Sequence, residues 1–126
     1  MAMGSVAANQ SRLMTLTSRL HDLEQRATQI TNAKMILSMG TQAAAEKYAK
    51  ACNDATDEKT GKINEGALKK ASNDYDQELA EFSRQEKLWD LELNQVNTEH
   101  TAAKTEYDSV KSLVSDNTEG AFSLFG

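Results

Sequence analysis

Apolar residues in this chain recur at alternating spacings of three and four. From Val6 the series runs Val6, Asn9, Leu13, Leu16, Leu20, Leu23, Ala27, Ile30, Lys34, Leu37, Thr41, Ala44, Tyr48, Ala51 and Ala55, with Asn9, Lys34 and Thr41 as its polar members. A second series runs Leu68, Ser72, Tyr75, Leu79, Phe82, Glu86, Trp89, Leu93, Val96, His100, Ala103, Tyr107, Val110, Val114, Asn117, Ala121 and Leu124. A mean period of about 3.5 residues is the coiled-coil repeat, in which one apolar seam faces a partner helix. Taking Leu13 as heptad position a makes Leu16 position d; in the second series Leu79 is a and Phe82 is d. The pattern predicts an all-α fold, a long antiparallel two-helix coiled-coil hairpin with a short polar turn. It forms one domain over residues 1–126, with helix one at about 5–55, a turn at about 56–64 and helix two at about 65–124.

The segment "NDATDEKTGKINEG" between the series is dense in Asn, Asp, Thr and Gly, which favour bends over helix. Asn64 is placed to cap helix two, with Ile63 and Leu68 at the spacing of a hydrophobic staple. A calcium-loop reading of the same segment does not hold. With Gly61 as the central glycine, Thr56 and Ala67 fall at the first and last ligand positions, and neither carries a carboxylate.

Charges beside the seam select the topology. The g positions of helix one include Arg12, Arg19 and Arg26, and those of helix two include Glu78, Gln85, Glu92, Glu99 and Glu106. An antiparallel pair brings g against g′, so these stripes attract only in that arrangement. Residues 1–55 hold six basic and four acidic side chains and residues 67–126 hold six and twelve, which is the same preference at larger scale. Exposed pairs contribute only ~0.2–1 kcal/mol each, so they choose orientation while apolar burial supplies stability. Two registers remain, one heptad apart. One sets Arg12, Arg19 and Arg26 against Glu106, Glu99 and Glu92, with Ala27 across from Trp89; the other shifts every pairing by seven. Lys34 and Glu86, both in the seam, are candidates to pair and fix that register.

Composition narrows the classes of function. The chain has 126 residues, a net charge of −5, no Pro and six Gly, so little interrupts a helix. An acidic balance argues against nucleic acid or an anionic membrane as the main partner. No apolar run approaches the ~20 residues of a membrane span. The opening "MAMGSVAANQSR" lacks the apolar core of a cleaved secretory leader.

Candidate chemistry is sparse. His21 falls at the exposed b position, while His100 falls at a, where it sets register or hydrogen-bonds locally. Cys52 is the single cysteine, at the edge of the seam, and Trp89 is at d, which is a packing position. No grouping supplies a nucleophile with a base, and no metal or cofactor is expected. The expected protein is not an enzyme.

Large apolar residues lie away from the seam. Met14, Met35, Ile36, Met39, Leu88, Leu91, Leu113, Phe122 and Phe125 all occupy other heptad positions. A two-helix hairpin has no second layer to cover them, and exposed apolar groups of this kind mark contacts between chains. Leu113, Val114, Ala121, Phe122, Leu124 and Phe125 form one candidate self-assembly surface, and Met35, Ile36, Met39, Leu88 and Leu91 a second.

The polar opening "MAMGSVAANQSRL", the two long helices and the closing "EYDSVKSLVSDNTEGAFSLFG" resemble the plan of bacterial type III-exported filament subunits, among them flagellin terminal regions, secretion needles and sheath filaments. The likeness is one of plan and covers the whole chain. The sequence is longer than a needle subunit, lacks a Pro-containing turn, and has no inserted outer domain of the flagellin kind. The resemblance implies a secreted or cell-surface structural protein, exported without a cleaved leader, whose partners are copies of itself and an export apparatus. The competing expectation is a cytoplasmic coiled-coil adaptor or chaperone that forms a closed small oligomer.

Overall fold

A computed structural model describes the backbone of residues 2–125 and the side chains of residues 6–116. The fold is the all-α hairpin expected from the heptads. Helix α1 spans Ala2–Ala55 and helix α2 spans Glu65–Phe125, and the two pack against each other. Among the described residues, each a and d position of both helices is buried or half-buried except Glu86, which is exposed. Glu86 apart, burial along each helix follows the sequence period, because the a and d side chains face the partner helix.

The turn is built by local hydrogen bonds. Asp57 N–H donates to the Lys62 carbonyl at 2.8 Å, and Gly61 N–H donates to the Asp57 carbonyl at 2.7 Å. The Asp57 carboxylate accepts from Lys59 N–H and from the Thr60 hydroxyl, each at 3.0 Å. Those donors hold its pKa below the usual range, the Lys59 N–H being the largest cause. Gly61 has φ +68°, the left-handed region in which a side chain is strained. Asn64 caps α2 as expected: its Oδ1 accepts from Ala67 N–H at 3.1 Å, and its carbonyl accepts the first helical bond from Leu68 at 3.0 Å. Ile63, the expected staple residue, keeps 54% of its surface exposed.

The hairpin divides into two packed units, Met1–Gln29 with Leu93–Gly126, and Ile30–Glu92. In the first, Leu16, Ala103 and Val110 form a buried cluster, with Leu13, Leu20, Leu23, Tyr107 and Val114 packed around it. Arg12 pairs with Glu106 beside this cluster, as the first register requires. His100 Nε2 lies 3.1 Å from Glu24 Oε1, the local hydrogen bond open to a seam histidine.

In the second unit Ile30 is wholly buried and Ala44 and Ala55 are nearly so. Tyr48 stacks on Tyr75 with ring centroids 4.8 Å apart. Phe82 lies over Gly40, where a Cβ would stand 3.1 Å from two ring carbons. These are the seam neighbours of the second register. Within this unit charge pairing and seam pairing agree on that register. In an antiparallel pair each g residue lies between two g′ residues a heptad apart and can reach either. The Lys47–Glu78 pair, 3.2 Å long, is the g–g′ pairing of the second register.

Candidate functional site

Position along the heptad decides which side chains are free to meet another molecule. The outward positions b, c and f point away from the facing helix, and the seam leaves them to solvent. Met35, Ile36 and Met39 occupy b, c and f of α1 and are 58%, 67% and 63% exposed. Leu88 and Leu91 occupy c and f of α2 and are 61% and 65% exposed. All five belong to the unit Ile30–Glu92. Lys34 pairs with Asp90, which sets the Met35 turn of α1 at the level of the Leu88–Leu91 turn of α2. Two apolar faces thus stand at about one level, on opposite outward sides of the same packed pair.

The surroundings of the α1 face are nearly without charge. From Ile30 to Ala45 Lys34 is the single charged residue, in a chain of which 26% is charged. Its ammonium is taken up by Asp90; that hydrogen bond, the largest cause, and the nearby Glu86 hold its pKa above the usual lysine range. The exposed remainder of the stretch is Thr, Asn, Gln, Ser, Ala and the apolar trio. Depletion of charge around exposed Met and Ile is the composition of an interface core rather than of a solvated face. The heptad pattern does not reveal this depletion, although counting charges in a sliding window detects it.

The expected Lys34–Glu86 pair is corrected to Lys34–Asp90. Glu86 is exposed, and it contributes attraction to Lys34 without being its ion-pair partner. The reason is solvation: an acidic side chain at a loses hydration if it turns into the seam, whereas Asp90 at e′ meets the ammonium from the wet edge.

The other expected site residues fall as follows. Leu113 is 52% exposed, whereas Val114 packs on the buried cluster of its own chain and belongs to the seam. Ala121, Phe122, Leu124 and Phe125 lie outside the residues whose side chains are described. Arg19 and Glu99 line one open groove together with Arg12 and Glu106. Arg26 donates to Gln29 at 3.3 Å, and Glu92 is half-buried.

A second groove, lined by Asn94, Asn97, Thr98, Thr101 and Ala102, is likewise open to solvent, and the concave feature beside the aromatic residues is small. A cavity of about 60 Å³ lies beside the Tyr48–Tyr75 stack, lined by Ala44, Ala51, Ala71 and Glu78 among others. That volume accommodates a water or two, whereas sites for organic ligands run to ~300–1,000 Å³. The Tyr48 phenol is held protonated above its usual range, chiefly by its hydrogen bond with Cys52. Among the described residues no cluster of three or more His, Cys, Asp or Glu side chains is placed to hold a metal ion. No helix in the described residues is long and apolar enough to cross a membrane. What the outward faces can do is bury apolar surface against another chain. No protein-family model, curated protein or solved structure matches this chain.

Proposed function

We propose that this chain is a structural, self-assembling protein, the repeating subunit of a bacterial helical filament or exported appendage. The observation that carries the reading is the contrast between a seam closed within one chain and large apolar side chains on the outward positions, Met14, Met35, Ile36, Met39, Leu88 and Leu91. A hairpin that needed only itself would place polar residues there. Burying each such side chain between copies contributes roughly 1.5–3 kcal/mol before the entropy of association is subtracted. The segment Ala121, Phe122, Leu124 and Phe125 is apolar in sequence and lies outside the residues whose side chains are described. The resemblance in plan to type III-exported filament subunits supports the assignment to an exported appendage.

Electron microscopy and pelleting of the full chain and of a variant lacking residues 120–126 test the proposal. The full chain is expected to form filaments, and the shortened one to keep its helix content and lose assembly. Filaments unchanged by the deletion remove that segment from the mechanism. A full chain that never assembles removes the function itself.

A further inference from the structure

The two outward faces of the unit Ile30–Glu92 carry matching patterns. Along the c and f positions of α1 from Met39 onward the exposed residues read Met39, Ala43, Glu46 and Lys50, with the exposed Ile36 preceding them outside the strip. Along the same positions of α2, read backwards as an antiparallel partner requires, stand the exposed Leu91, Leu88 and Arg84 and the half-buried Glu81. Laid against each other, the strips pair Met39 with Leu91, the small Ala43 with the large Leu88, Glu46 with Arg84, and Lys50 with Glu81. Apolar meets apolar, and each charge meets its opposite.

The two strips cannot pair within one chain, because c and f of both helices point outward from the shared seam. We propose that the α1 strip of one copy docks on the α2 strip of a second copy, offset by about one heptad from the intrachain register. The docking rests on the self-assembly reading and specifies its contact.

Three features favour a second copy of this chain as the occupant. The order of apolar, small, acidic and basic residues on one face is complemented in reverse order on the other. Arg84 and Glu81 already pair on α2, so Glu46 and Lys50 of the incoming copy extend that pair into an alternating cluster of four charges. A single contact type also engages both faces, through Met39 on one and Leu88 and Leu91 on the other, with Met35 and Ile36 outside the strip, whereas a like-with-like dimer through the α1 strip leaves Leu88 and Leu91 uncovered.

The contact is heterologous, so it does not close on itself, and each copy presents a fresh strip to the next. A strip from Met39 to Lys50 is roughly 18 Å long and 10 Å wide, well under the ~800 Å² per partner of a stable complex. An isolated dimer is therefore weak, and a row held by this contact alone lengthens gradually with concentration; a sharp threshold is expected where the other contacts of the self-assembly reading act beside it.

The test is charge reversal followed by mixing. Glu46→Arg places an arginine against Arg84 at every contact, and Arg84→Glu places a glutamate against Glu46. Each variant alone is expected to raise the assembly threshold about fivefold, since reversal turns one weak attraction into one weak repulsion. An equimolar mixture of the two variants is expected to assemble near the wild-type threshold. In an alternating row, the introduced arginine meets the introduced glutamate at one contact, and the native Glu46 meets the native Arg84 at the next. Helix content, followed by circular dichroism, is expected to stay constant because both positions are exposed.

If wild type assembles and the reversals change nothing, or the mixture is no better than its parts, the strip pairing is wrong and self-assembly stands. If wild type remains monomeric at every concentration, both fall.

Discussion

Gly40 tests the described packing more sharply than any leucine of the seam. A glycine inside an α-helix is less favourable than alanine by about 1 kcal/mol, so Gly40→Ala in an isolated α1 is a gain. In the folded hairpin the added methyl would stand 3.1 Å from Cε1 and Cζ of Phe82. Carbon atoms pack best at about 3.5–4.0 Å, so the ring edge has to retreat by roughly half an ångström. Phe82 is half-buried rather than sealed in, so the ring can move, at the ~0.5–1.5 kcal/mol of an off-rotamer side chain. The two effects are of similar size and opposite sign.

Gly40→Ala in the wild-type background is therefore expected to change stability by less than about 0.5 kcal/mol. With Phe82→Leu in place, the ring is gone, and the same substitution is expected to stabilise by about 1 kcal/mol. The assay is urea unfolding followed by circular dichroism for the four members of the double-mutant cycle, at a concentration where the chain is monomeric. A coupling of about 0.5–1.5 kcal/mol supports the close approach. If Gly40→Ala stabilises equally in both backgrounds, Phe82 does not lie over Gly40 and the register of this unit is wrong.

Four further outcomes are expected. Ile30→Ala, at the most deeply buried large side chain described, should destabilise by about 2–5 kcal/mol in the same assay. Asn64→Ala removes the Oδ1 acceptor of Ala67 N–H and should lower stability by about 1 kcal/mol, while Asn64→Asp should restore most of it. Lys34 and Tyr48 both have folded pKa values above their ordinary ones. Their contribution is complete below the unfolded pKa and is lost as pH rises through the folded value, so Tm should fall above about pH 10, and less steeply in Lys34→Gln. Asp57 has the opposite sign. Its lowered pKa adds stability above its unfolded value that is lost as pH falls through the folded one, so Asp57→Asn should flatten the acid limb of the Tm profile.

The hairpin was legible because its period is local information. Each a and d residue from Val6 to Val114 announces its own face, and only Glu86 departs from the pattern among those described. Its departure is physical: a carboxylate keeps its hydration and leaves Lys34 to Asp90, a residue the a/d series does not contain. The register was not legible from charge, because in one unit Arg12 pairs with Glu106 as the first register has it, and in the other Lys47 pairs with Glu78 as the second has it. Gly40 is an ordinary helix glycine until Phe82 is placed over it. The outward apolar residues Met35, Ile36, Met39, Leu88 and Leu91 are exposed as their heptad positions require, since a hairpin has no second layer. What the a/d pattern leaves out is their setting, a stretch from Ile30 to Ala45 with one charge. Val114, expected at the contact between copies, packs through its seam position on its own chain's cluster.

Sedimentation velocity of the full chain across a wide concentration series tests most directly whether the outward faces are made for other copies. The expected record is a monomer at low concentration that passes, over a narrow range, to large polydisperse species without a dominant dimer or tetramer. A monomer persisting throughout, or one fixed small oligomer at every concentration, would contradict it.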